Sequence, residues 1–200
     1  MLQEKTSLDI YNYLINQDLL FTDELLWWPN SGTFEVVIGA LLTQNTTWKN
    51  VEKSLSNLDG FLTLDSFITL DEQRLKDMIK PSGFYNQKAP RLLALANNIH
   101  QEFISFDVFK DKVSRQWLLN QKGVGEETAD SILCYGCFRD EMVVDTYTKR
   151  LLKKFGIEFK KYQDYKTFLD IGVRDHFKKN LNMIFIRYHA MIVEYNKLNS

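Results

Sequence analysis

Cysteine and proline are nearly absent: the chain has Cys134 and Cys137, one C-x-x-C pair, and three prolines in 200 residues. So few cysteines exclude a disulfide framework, and one pair cannot make a four-cysteine metal site. The pair lies inside the apolar run "ADSILCYGCF", which reads as helix, so both are expected as buried structural thiols. Histidine is as sparse, with His100, His176 and His189 too scattered for a ligand spacing such as H-E-x-x-H; they read as ordinary residues. Apolar runs such as "FEVVIGALLT" (Phe34 to Thr43) fall well short of the roughly 18 residues that span a bilayer. The N-terminal "MLQEKTSLDIYNYL" carries acids early and no basic region ahead of an apolar core, so it is not read as a secretory signal, and a cytoplasmic location is expected. An excess of either charge is missing too. The net charge is -1 and the pI ≈ 6.3, which argues mildly against a nucleic-acid-binding domain.

What is present is the composition of a folded protein: 44% hydrophobic, 14% aromatic and 26% charged residues. Helical periodicity runs through nearly all of it and strand alternation is scarce, so the predicted class is all-α. Helices are predicted over "FEVVIGALLT", over "TWKNVEKSLSNL" with Thr46 or Thr47 as cap, and over "LDEQRLKDMIK", which Pro81 stops. "NQKAPRLLALANNIHQEF" follows, with Pro90 fitting best in its first turn, and "FKDKVSRQWLLNQ" reads as one further helix. Beyond Gly125 come "EETADSILCYGCF", "DTYTKRLLKKFG", "YKTFLDIGV" and a long last pattern from Leu181 to Lys197. Charge is uneven along the chain. "KRLLKKF" and "RDHFKK" are basic and Gln17 to Glu35 is acidic, so a local basic face could hold phosphates on a neutral protein, although a solvated helix face is the simpler reading of each run.

"LLNQKGVGEETADSIL" is a helix, a K-G-V-G turn and a second helix. Gly123 and Gly125 suit a turn needing positive φ or close approach to a ligand, and backbone N–H groups there and at the next helix's start are expected to face an anion. A plain αα-hairpin turn is the bland alternative. Asp145 stands after the apolar "MVV" at the start of a helix; alone, it reads most simply as an N-cap.

Hairpin, short helix, apolar "VVD" and basic helix in this order strongly resemble the DNA glycosylase superfamily named for its helix-hairpin-helix, Gly/Pro-rich loop and catalytic aspartate (HhH-GPD). "LLTQNTTW" resembles the family segment whose glutamine, here Gln44, fills the hole left by a flipped-out nucleotide. "SGFYNQKA" resembles the turn whose wedge, here Phe84, enters the duplex. "KGVGEETAD" matches the hairpin and "VVDT" the aspartate, which makes Asp145 the expected catalytic group. The resemblance implies two helical lobes, a central one over residues 23–130 and a second built from 1–22 plus 131–200, with the active-site cleft between them. That would explain why no linear boundary shows.

Departures from the family pattern refine the expectation. Endonuclease III and its strand-cutting relatives carry a lysine nucleophile where this chain has Glu127, and a carboxylate cannot form a Schiff base. Lys122 precedes the turn and does not match the nucleophile's place. Many relatives also hold an iron-sulfur cluster on a C-terminal four-cysteine loop, whereas no cysteine follows Cys137, so a monofunctional glycosylase without a cluster is expected. "WWPN", "LTQNT" followed by an aromatic, "KPSGFYNQKA" and "ILCY" with "MVVD" resemble the bacterial 3-methyladenine DNA glycosylase type related to endonuclease III. That resemblance gives a base pocket of Trp27 and Trp48, with Trp28 next to the first in sequence; beside it, Glu127 is expected to add negative charge near the pocket and Lys197 of the last helix to reach it. It also implies double-stranded DNA with alkylated bases as partner. Gly123, Val124, Gly125 and Lys122 would bind backbone phosphate, a monovalent cation could sit on the hairpin carbonyls, and a monomer is expected. Two alternatives stay open: an endonuclease III-like enzyme for other damaged or mismatched bases, and a noncatalytic helix-hairpin-helix DNA-binding module.

Overall fold

The computed structural model describes residues 5–17, 19 and 27–199, and among them it contains twelve α-helices and no strand. No helix of the described residues is long and apolar enough to cross a membrane. The chain divides into two compact units, one made of both chain ends (Met1–Trp28 and Arg139–Ser200), the other of Pro29–Phe138.

The middle unit opens with α2 (Phe34–Leu42), following α1 (Ser7–Ile15) of the other unit. Every residue of α2 but Glu35 is buried, as befits a helix apolar on all sides. Around it lie α3 (Trp48–Asn57), α4 (Leu64–Phe67), α5 (Glu72–Ile79), a single 3-10 turn over Lys80–Ser82, and α6 (Tyr85–Phe103). Then come α7 (Phe106–Lys112), α8 (Arg115–Leu119), α9 (Glu126–Ser131) and a π-turn over Ile132–Gly136. Pro90 is the sixth residue of α6, so the expectation that it sits in the first turn is corrected. The helix begins early because Phe84 takes a left-handed conformation (φ 49°, ψ 26°) and its carbonyl accepts from Gln87 and Lys88. The single helix expected over "FKDKVSRQWLLNQ" is two, because Val113 is extended and the Ser114 side chain caps α8 by accepting from the Trp117 N–H. Neither Thr46 nor Thr47 caps α3 through its side chain; the Thr46 hydroxyl accepts from Asn50 instead.

The middle unit ends at Phe138 rather than at residue 130, for a reason visible at its two ends. The Gly32 N–H donates to the Tyr135 carbonyl at 2.8 Å, and the Phe138 ring lies so close to Gly32 that a Cβ there would sit 2.6 Å from it. The π-turn is thereby bonded to the unit's own beginning. The expected limit at 22 and 23 lies outside the described residues.

The unit of the chain ends packs α1 with α10 (Thr146–Lys154), α11 (Tyr162–Phe177) and α12 (Leu181–Leu198). Its core includes Ile10, Tyr11, Leu14, Val144, Leu151, Leu169, Phe185 and Tyr188, each worth roughly 1.5–3 kcal/mol of burial if aliphatic or Phe. Two bonds stitch the ends of the chain together: Ser7 Oγ donates to the Leu169 carbonyl at 2.7 Å, and the Tyr188 hydroxyl donates to the Ser7 carbonyl at 3.0 Å.

Candidate functional site

Asp145 follows three buried residues outside any helix, Met142, Val143 and Val144, and in an extended conformation of its own it caps α10. Its Oδ1 accepts from the Thr148 N–H at 2.7 Å and the Thr148 hydroxyl at 2.8 Å. Oδ2 points the other way and lies 3.4 Å from Nε2 of His189 on α12, with 16% of the Asp145 side chain exposed. Burial pushes the carboxyl's pKa up, but the facing imidazole and the Thr148 bonds outweigh it, holding Asp145 below the ordinary carboxylate range. The cap immobilises one oxygen and leaves the second to meet another partner.

The same unit carries two more expected site residues into this neighbourhood. The Trp27 ring meets His189 edge to face at a centroid distance of 5.6 Å and an angle of 84°. Its indole N–H donates to Glu194 Oε1 at 3.0 Å, and Lys197 Nζ donates to that same oxygen at 2.8 Å. Lys197 and Trp27 thus share the Glu194 carboxylate. Asn196 ties the helices, donating to the Tyr147 carbonyl at 3.2 Å. His189, Thr148 and Glu194 were missed in the sequence. His189 is 4% exposed inside an apolar helical run, and nothing local links it to Asp145.

The middle unit carries the other expected residues. Gly123 has φ +88°, a conformation that favours glycine, while a Cβ there would press on the flexible Arg91 side chain at 2.5 Å, which could swing aside. Gly125 has φ -93° and nothing within 4 Å of a hypothetical Cβ. Val124 departs from expectation: its side chain is buried and its N–H donates to the Gln121 carbonyl at 3.1 Å, so it is committed to the turn and is not an outward-facing donor. Lys122 is exposed, as is Glu127 in the first turn of α9. Arg115 grips Asp130 with two bonds of 2.7 and 3.1 Å, joining the helices on either side of the hairpin. Gln44 Nε2 donates to the Gly123 carbonyl at 3.0 Å and to Thr128 Oγ1 at 2.9 Å, so the residue expected as plug rests on the hairpin. Phe84 is 58% exposed, an unusual state for phenylalanine and one that suits a wedge. Trp48 is half-buried at the start of α3, with its indole N–H donating to Glu52 at 2.9 Å. Asp145, Trp27 and Lys197 are therefore gathered in one unit, and Gln44 with the hairpin in the other.

No group of three or more His, Cys, Asp or Glu among the described residues could hold a metal ion. An iron-sulfur cluster on four thiolates does not fit a chain whose two cysteines, Cys134 and Cys137, are both buried in the π-turn region.

A family model described as HhH-GPD superfamily base excision DNA repair protein matches residues 38–171. A candidate DNA repair glycosylase of Methanocaldococcus jannaschii is 42% identical over 183 residues, covering 86% of this chain and 80% of that protein. The H. pylori 3-methyladenine DNA glycosylase MagIII, in a crystal structure bound to 1,N6-ethenoadenine, matches with a TM-score of 0.92 and 40% identity over 98% of this chain and 99% of that one. A trapped endonuclease III–DNA covalent intermediate matches with a TM-score of 0.68 at 19% identity, over 94% of this chain and 85% of that one, a likeness of fold alone. The chain belongs to the HhH-GPD superfamily of base excision DNA repair proteins, and within it to the DNA glycosylases.

Proposed function

We propose that this glycosylase is monofunctional and removes alkylated purines, chiefly 3-methyladenine, from double-stranded DNA. The observation that carries the reading is the Asp145 carboxylate, held ionised by His189 and by Thr148 in the unit that also carries Trp27. The 40% identical H. pylori protein, named for 3-methyladenine and bound to 1,N6-ethenoadenine, supports a modified adenine as the substrate class.

A 3-methyladenine nucleotide is already cationic. Its C1′–N bond breaks with the electron pair going to the base, which leaves neutral, so no strong general acid is needed. Asp145 faces the oxocarbenium-like sugar that forms and orients water for attack at C1′, taking the proton that the water sheds. Trp27 and Trp48 each offer an indole face to the flipped base, and stacking on a cation contributes about 0.5–2 kcal/mol. Glu127 and Lys197 tune charge around the base; Lys197 would act through Glu194, which already holds Trp27. Glu127 in the lyase lysine's place leaves no amine for a Schiff base, and the protein works without an iron-sulfur cluster. Gln44 and Phe84 enter the distorted duplex, while Lys122 and the hairpin main chain at Gly123 and Gly125 hold a phosphate without reading sequence. A monovalent cation on the hairpin carbonyls would compete with the Gln44 amide at Gly123. We take the working form to be a monomer in the cytoplasm.

Chromatography of bases freed from methylated DNA, with Asp145→Asn run in parallel, tests the assignment. Release of 3-methyladenine by the native protein alone is expected; release of nothing, or equal release by the variant, would overturn it. Borohydride should trap no protein–DNA adduct, and a trapped adduct would refute the monofunctional reading.

A further inference from the structure

Lys88 is 3% exposed, and its ammonium pairs with no carboxylate among the described residues. It lies in the first turn of α6 and donates to two main-chain carbonyls, Leu42 at 2.9 Å and Ser82 at 2.8 Å. Both acceptors end helical segments: Leu42 is the last residue of α2, and Ser82 is the last residue of the 3-10 turn. Carbonyls at such ends lack helical donors and carry the negative end of the peptide dipoles, so a cation is favoured there. Two residues beyond Leu42 stands Gln44; two residues beyond Ser82 stands Phe84. Burial pulls the Lys88 pKa down to about 8, so the group is still mostly charged at neutral pH.

We propose that Lys88 is a positioning residue, a cationic clamp that holds the two segments carrying Gln44 and Phe84 in one register so that plug and wedge meet damaged DNA together. The inference rests on the plug-and-wedge reading of those residues. A buried ammonium costs desolvation that an apolar side chain would avoid, which makes it a poor choice for packing alone. The two segments have no other bond of this kind between them in the described residues, whereas Gln44 is separately tied to the hairpin at Gly123 and Thr128. Three DNA-facing segments of the middle unit are thereby cross-tied: Lys88 joins plug to wedge, and Gln44 joins plug to hairpin.

The test is a double-mutant cycle on binding to a duplex with a tetrahydrofuran abasic analogue opposite 2-aminopurine. Lys88→Met keeps the apolar stem and removes the ammonium. It should weaken binding about tenfold in the native background and blunt the 2-aminopurine response. In a Gln44→Ala, Phe84→Ala background the same substitution should change nothing further. An equal loss in both backgrounds, or none in either, would overturn the clamp. If the Gln44→Ala, Phe84→Ala protein itself binds and responds like the native one, the plug-and-wedge reading falls, and the clamp with it. Lys88→Gln repeats the cycle if Lys88→Met does not fold; failure of both to fold would make Lys88 a residue of the core and nothing more.

Discussion

Asp145 caps α10, and substitution can separate that role from the catalytic one proposed for it. Asn is as good a helix cap as Asp, so Asp145→Asn should keep the thermal midpoint near that of the native protein while lowering kcat about 10²–10⁴-fold. A parallel loss of stability in melting experiments would show that the charge also holds the fold, since the cap is retained, and the activity loss could then not be read as catalytic. His189 should govern the acid side of the pH profile. Because the folded pKa of Asp145 is depressed, its ionised form persists below 3.8, and the stability it contributes is fully present above that value and is lost as pH falls from there through the lower one. His189→Gln removes the facing imidazole, so the acid limb of kcat/KM should move to higher pH; an unmoved limb would exclude the pairing as its cause. Lys88 runs with the opposite charge. Its folded pKa of about 8 lies below the ordinary 10.5, so the unfolded chain holds the extra proton in between and stability rises as pH climbs from about 8 towards 10.5. The unfolding free energy of Lys88→Met should lack that rise in denaturant titrations.

At the level of elements, the two hairpin glycines have different reasons to exist. Gly123→Ala puts a side chain at φ +88°, and should destabilise the protein by about 1 kcal/mol or more. Gly125→Ala meets empty space at φ -93°, so it should melt close to native; if it nevertheless binds DNA more weakly, the second glycine serves a ligand's approach. The Arg115–Asp130 pair fixes the helices that flank this turn, with the Asp130 side chain fully buried. Arg115→Ala should lower unfolding free energy by about 3–5 kcal/mol, since it takes a doubly bonded guanidinium away from a buried carboxylate. Local signals were uneven here. "KGVG" announced the turn because glycine's conformational freedom is intrinsic to the residue. Ser114 went unread because a cap inside an apolar-periodic stretch looks like any polar position until Val113 is seen to be extended.

For the whole molecule, a net charge of -1 makes DNA affinity depend on where cations gather. α10 exposes Lys149 and Arg150 just beyond Asp145, at the head of a basic stretch. Binding to undamaged duplex should weaken linearly in log[salt], and Lys149→Ala should lower the slope by about 1 without changing sequence preference. An unchanged slope would place the phosphate contacts elsewhere. The unit holding Asp145 is closed by α1, through Ser7 and the buried Tyr11 against Tyr188. Tyr11→Ala should therefore destabilise that unit by roughly 3–5 kcal/mol, as loss of a buried aromatic does, although it lies far along the chain from the site.

Helix class, the hairpin and the cap position of Asp145 were legible from the chain alone, because each depends on neighbours within a few residues: periodicity, glycine, and an acid after an apolar run. The partners of Asp145 and Lys88 were not. His189, Thr148, Leu42 and Ser82 act through bonds formed only once distant segments pack. Whether a buried carboxyl stays charged, or a buried lysine finds acceptors, depends on desolvation against local dipoles and charges, and that balance exists only in the folded protein.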